Sequence, residues 1–169
     1  MNHSDREWFF EAIILVMSDV NGTTIGDTSG LTSTVVFRLG TLGTVVTDRF
    51  TREIEGLGLK PKHVGLMAAL SLAAVASQQE LAARMGVAPS LMVSLADHLE
   101  GLGAVRRVRD PRDRRRQVLT LTEEGQGLLE RCTSVAQTLD EEFVAGLTEK
   151  QRKALDEALR VMADRAGLP

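Results

Sequence analysis

Apolar residues recur along most of this chain at intervals of three and four, the spacing of a helix with one buried face. The pattern predicts a first helical segment at about Asp5–Asp19, then a polar stretch with Asn21, Gly22, Gly26, Ser29 and Gly30 that reads as loop. A long helix from about Thr32 to Glu55 puts Val36, Leu39, Leu42, Val46, Phe50 and Ile54 on one face. Gly56 and Gly58 stop it. Pro61 opens the next helix, where its missing N–H costs nothing, and Val64, Met67, Leu70 and Leu72 follow.

The middle of the chain is denser in signals. Ser77-Gln78-Gln79-Glu80 is a capping box, with the serine serving the N3 amide and the glutamate reaching back to the cap. The short helix it starts carries Leu81, Ala82 and Met85 and is closed by Gly86. Pro89 stands near the next start, Leu91, Leu95, Leu99 and Leu102 mark one face, and Gly101 and Gly103 bracket the end. Helix, tight glycine turn and helix within about 25 residues is the helix-turn-helix arrangement.

The helical period breaks between Val105 and Thr122. Asp110-Pro111 begins a turn, because a residue before proline avoids the helical region. Gln117–Leu121 alternates, with Val118 and Thr120 on one face and Leu119 and Leu121 on the other, so a β-hairpin with Pro111–Arg114 at its tip is expected. Thr122 then caps a long helix with Leu128, Leu129, Cys132, Val135, Ala136, Leu139 and Phe143. Thr148–Gln151 is a second capping box, before a helix carrying Leu155, Leu159 and Met162.

Charge changes the picture. The window Arg106–Arg116 holds seven of the twenty Lys and Arg residues and carries +5, in a chain of net −3. A cationic segment on an acidic body suits contact with a polyanion. The second helix of a helix-turn-helix fits the major groove, and an arginine-rich hairpin reaches a neighbouring minor groove, with phosphate contacts adding sequence-independent affinity. There is no Tyr, which disfavours an aromatic stacking platform for single-stranded nucleic acid. One cysteine excludes an internal disulfide and points to a reducing cytoplasm. Trp8–Met17 is interrupted by Glu11 and falls far short of the roughly 20 apolar residues of a membrane span. No phosphate loop, nucleophile elbow or paired-carboxylate motif occurs, and Cys132 with His3, His63 and His98 lacks metal-ligand spacing. No cofactor, metal or catalytic site is expected.

The stretch from Gln78 to Gly125 resembles the MarR-type (multiple antibiotic resistance regulator) winged-helix proteins. The resemblance rests on LAARMGVAPSLMVSLADHLEGLGAVRR and on RDPRDRRRQVLTLTEEG, with its D-x-x-D-R-R spacing, V-x-L-T and E-x-G. It extends in outline over about Leu31–Leu168. It implies a mostly α fold with a small β-hairpin wing, a winged helix-turn-helix domain flanked by N- and C-terminal dimerisation helices. The divisions are 1–30 for an N-terminal helix and loop outside the resemblance, 31–58 for a dimerisation helix, 60–122 for the DNA-binding domain and 123–169 for the C-terminal dimerisation helices.

The resemblance also implies roles. Arg115 enters the minor groove, with Asp113 orienting it through a charge-assisted hydrogen bond; the alternative is an ordinary surface ion pair in a solvated turn. Arg112, Arg114 and Arg116 are phosphate contacts or simply exposed. Ala88, Pro89, Ser90, Met92, Val93 and Ser94 fall on the DNA-facing surface of the recognition helix, and Gln78 and Gln79 are placed to bind phosphate with the amides of the preceding helix. The serines could instead cap or decorate the surface. Position 94 departs from the family, which commonly has a strong base reader there, so methyl contacts, water and DNA shape take more of the sequence readout.

Partners follow from the same resemblance: a pseudo-palindromic double-stranded operator, a second copy of the chain as homodimer, and a small-molecule effector of unknown identity that releases a repressor from DNA. His63, His98 and Arg38 are candidates for the effector site, although a lone histidine is more often structural. Cys132, at an apolar helix position, reads as a buried structural thiol rather than an oxidant sensor. The alternative function is a winged-helix protein-interaction module that has lost operator specificity.

Overall fold

The computed structural model describes residues 29–73, 76–110, 113 and 115–167. The helix expected at Asp5–Asp19 lies outside them. The chain divides into two compact units, Met1–Arg49 and Phe50–Pro169.

In the first unit a short helix, α1 (Ser29–Thr32), precedes the start of α2 (Val35–Glu55). The long helix therefore begins three residues later than its apolar period suggests, and Ser29 and Gly30 lie in a helical turn rather than a loop. The cause is local. The Ser33 hydroxyl donates to the Gly30 carbonyl (2.9 Å), and the Thr34 hydroxyl accepts from the Phe37 N–H (3.2 Å), capping α2 as an independent helix. Leu31, Val35, Val36, Leu39, Leu42, Val45 and Val46 are exposed.

The second unit is built on the last turns of α2, where Ile54 is fully buried. Gly58, at φ 70°, makes the left-handed turn that Gly58-Leu59-Lys60 needs before Pro61 starts α3 (Pro61–Ala73). Helix α4 (Gln78–Met85) has the complete capping box: Ser77 accepts from the Glu80 N–H (3.3 Å), and Glu80 accepts from the Ser77 N–H (2.9 Å). Gly86, at φ 61°, ends it, and α5 (Pro89–Gly101) follows with proline in its first turn.

Strands β1 (Val105–Arg109) and β2 (Gln117–Leu121) pair antiparallel, Val105 opposite Leu121 and Arg109 opposite Gln117. Ala76 adds a bridge that the sequence pattern does not announce: its carbonyl accepts from the Leu119 N–H (2.8 Å), and its N–H donates back (3.3 Å). Val118 and Leu119, on opposite faces of β2, are both buried, so the hairpin is held on both sides at its base. Helix α6 (Glu123–Val144) is capped by Thr122, and α7 (Glu149–Arg165) by the Thr148–Gln151 box.

The core of this unit is aliphatic. Ile54, Leu66, Met67, Leu81, Leu99 and Leu119 are fully enclosed, each contributing about 1.5–3 kcal/mol by leaving water. Cys132 joins them at 1% exposure, and burial pushes its thiol above the usual range, as a structural rather than a reactive cysteine requires. Helix α7 buries nothing: Leu155, Leu159, Val161 and Met162 are exposed.

Candidate nucleic-acid interface

The apolar positions of α5 decide which way it faces. Met92, Leu95, Ala96 and Leu99 are buried, at spacings of three and four. The opposite stripe, Pro89, Ser90, Val93, Ser94 and Asp97, is exposed, and Ala88 is the exposed N-cap. Ala88, Pro89, Ser90, Val93 and Ser94 thus share the outer side of the helix, as the sequence suggested. Met92 does not. At 1% exposure it packs into the core beside Leu95 and Leu99, which the apolar spacing did place on the buried face, whereas Leu91 is only half-buried and Leu102 is exposed beyond the last turn. Met92 supports the surface from behind. At the start of α4, Gln79 is exposed and Gln78 half-buried.

The wing projects from the same core. Asp110 donates its N–H to the Arg116 carbonyl, and the Arg116 N–H donates in turn to the Asp113 carbonyl, both at 2.9 Å. Pro111, Arg112 and Arg114 lie outside the described residues. The Asp113 carboxylate accepts from the backbone N–H of Arg115 (3.0 Å), so it fixes the turn that presents Arg115 rather than gripping its guanidinium. Arg115 itself is exposed.

The remaining wing arginines divide by their partners. Arg106 and Arg109 are exposed on β1. Arg116 reaches Glu80 of the α4 capping box at 3.3 Å, an exposed pair of small net worth that leaves Arg116 free to exchange onto a phosphate. Glu80 is held below the usual carboxylate range first by the Ser77 N–H, then by the Ser77 hydroxyl and Arg116. Arg107 turns the other way and is forked by Asp97 and Glu100 of α5. Asp97 first, and Glu100 with it, push the Arg107 guanidinium further above its ordinary value. The i,i+3 spacing of those two acids was the sequence signal for this contact.

Beside α5 lies a cleft of about 570 Å³, lined by Thr51, Glu55, Lys60, His63, Ser94 and His98 among others. His63 and His98 stack with ring centroids 4.3 Å apart and planes 9° from parallel. His98 Nε2 donates to the Gly58 carbonyl (2.7 Å), and His63 Nδ1 accepts from the Lys60 N–H (3.0 Å). Burial first, then His98 and Lys60, lower the His63 pKa to about 4, so its ring is neutral. Sequence reasoning named both histidines singly; nothing in a separation of 35 residues announces that they stack. Arg38 belongs to the other compact unit. Among the described residues no acidic, histidine or cysteine cluster could hold a metal, and no helix is long and apolar enough to cross a membrane.

A helix pair joined by a glycine turn, with a basic hairpin on the same core, defines a winged helix-turn-helix protein. The family model described as MarR family matches residues 57–116, the segment that builds this surface. The transcriptional regulator HosA of Escherichia coli O111:H- is 28% identical over 116 residues, covering 69% of this chain and 84% of that protein. The HTH-type transcriptional repressor MdtR of Bacillus subtilis is 27% identical, with 72% of this chain and 78% of MdtR covered. Among solved structures, the repressor CouR bound to a 23-mer DNA duplex superposes with a TM-score of 0.70 at 26% identity, covering 83% and 99% of the two chains. CouR from Rhodococcus jostii RHA1 bound to p-coumaroyl-CoA gives 0.65 at 27% identity, covering 79% and 94%. Residues 57–116 thus match the MarR family, and over most of its length the chain is similar in sequence and fold to transcriptional regulators.

Proposed function

We propose that this regulator is a homodimeric repressor that reads a pseudo-palindromic operator and is released by a small-molecule effector. The observation that carries the reading is that two exposed elements stand on one core and are joined by the contacts of Arg107 with Asp97 and Glu100. The exposed side of α5 bears Ala88, Pro89, Ser90, Val93 and Ser94, while the wing presents Arg115. The first suits a major groove and the second a minor groove. Gln78 and Gln79 at the α4 amides, with Arg112, Arg114 and Arg116, supply phosphate contacts. The neighbour CouR, solved on duplex DNA, supports the same use of the fold.

Two copies are needed because a single helix and wing make few contacts, and dimers place their recognition helices about 34–36 Å apart. The exposed apolar residues of α2 and those of α7 are the material for the dimer. The cleft beside α5 is the effector site in this reading, because Ser94 and His98 line it from the recognition helix itself. A ligand seated there bears directly on the position of α5. The p-coumaroyl-CoA complex of CouR supports a small-molecule effector as a class.

The test is a titration of the purified protein into its own upstream DNA and a scrambled duplex at two salt concentrations. The expected result is tight, selective binding of one dimer per site that weakens steeply with salt. Equal, weak binding to both duplexes would overturn the reading in favour of a winged-helix interaction module.

A further inference from the structure

Counting arginines in the wing treats them as interchangeable cations, but Arg107 is unlike the others. Its side chain is 21% exposed, and two carboxylates of α5 hold it, Asp97 on Nη2 and Glu100 on Nη1. Glu100 also accepts from the Arg107 backbone N–H (3.3 Å). The guanidinium is a planar fork that engages two acceptors at once, which an ammonium cannot do. With both acids spent on it, Arg107 has little charge left to offer a phosphate. What it joins is informative: Asp97 and Glu100 sit on α5, the helix with the exposed reading stripe, whereas Arg107 sits mid-strand in β1, opposite Leu119.

We propose that Arg107 is a positioning residue that locks the wing to α5 at a fixed angle, so that groove-reading helix and hairpin dock as one rigid piece. The proposal rests on the DNA-binding reading for its purpose, but the lock itself is a property of the free protein. The fork fixes β1 against the C-terminal half of α5. The Arg116–Glu80 pair, at 3.3 Å and about half exposed on both sides, is a weaker second mooring to α4. A wing fixed in this way keeps Arg115 at a set distance from Val93 and Ser94. A displacement of α5 is then transmitted to the wing.

Two measurements on the full-length protein test this. Without DNA, nitroxide labels at Val93 on α5 and Gln117 on β2, both exposed, report the distance between helix and wing; Cys132, at 1% exposure, stays in place. Arg107→Gln should broaden that distribution, and Arg106→Gln should leave it narrow. An equally narrow distribution in Arg107→Gln overturns the lock whatever the protein does on DNA. On the upstream duplex, Arg107→Gln should weaken binding by the same factor at every salt concentration, leaving the slope of log K against log salt unchanged. Arg115→Gln should make that slope shallower by about 0.9, the counterion release of one phosphate-scale contact. A slope change of that size in Arg107→Gln would make Arg107 a DNA contact and overturn the proposal. Failure of the DNA-binding reading shows separately, as a wild-type protein without selective, salt-dependent binding, while the distance measurement still decides the lock.

Discussion

Gly125 shows how a single atom sets the geometry of the interface. A Cβ there would stand 2.0 Å from the Ala104 carbonyl oxygen and 2.7 Å from Leu121 Cδ1. The first of these is backbone, so nothing flexible can yield, and α6 would have to lift off the base of the wing. Thr122 completes the joint by donating to the Gly103 carbonyl (2.6 Å) and accepting from the Gly125 N–H (3.0 Å). Gly125→Ala should destabilise the protein by at least about 1–3 kcal/mol, the usual cost of overpacking, read as a lowered midpoint in urea or thermal unfolding. An unchanged midpoint would mean that α6 does not pack there as described. The E-x-G motif marked this glycine in the sequence, but the reason for it, a helix pressed against a carbonyl, exists only in three dimensions. Met92 makes the complementary point. Its place in the recognition segment suggested DNA, whereas the i, i+3 and i+7 apolar spacing with Leu95 and Leu99 was the better guide and led to the core.

At the scale of elements, local chemistry was the legible part. Ser77, Pro61, Thr122 and Thr148 act within one helical turn of their own positions, so spacing alone locates them, and the structure has each at the start of a helix. The missed features depend on partners distant in the chain or on hydroxyls competing for backbone. The late start of α2 comes from Thr34, and the Ala76 bridge from a strand more than 40 residues away. The His63–His98 stack belongs to the same class and carries a pH consequence. The folded protein keeps His63 neutral, with a pKa of about 4 against 6.5 in the unfolded chain. The unfolded state therefore binds the proton first as pH falls. The stability this histidine contributes is complete above about pH 6.5 and is lost progressively toward pH 4. Wild type should lose on the order of 2 kcal/mol more than His63→Gln between pH 7 and pH 4.5. Parallel pH profiles in the two proteins would show that His63 is not the group being titrated.

At the scale of the whole molecule, the fold class and the wing were readable because a basic hairpin behind a helix pair is a compact, ordered pattern. The proposed dimer rests on a surplus of apolar residues: the positions that continue the helical period of α2 toward its N-terminus, and those of α7, are exposed in the single chain. A face of that kind is expected to be covered by a partner. Leu42→Glu and Leu159→Glu, made separately, should shift sedimentation of the protein from dimer toward monomer at micromolar concentration while leaving helical content intact. Sedimentation identical to wild type in both would remove these faces from the interface. The claim on which the rest depends is that the wing tip enters DNA. The most direct measurement is the dissociation constant of wild type and Arg115→Ala on the same upstream duplex at one salt concentration. Arg115 is exposed and outside the core, so the variant should unfold at the wild-type midpoint and bind about 1–3 kcal/mol more weakly, the scale of one good groove contact. An unchanged dissociation constant would contradict the assignment of the wing as a DNA-reading element.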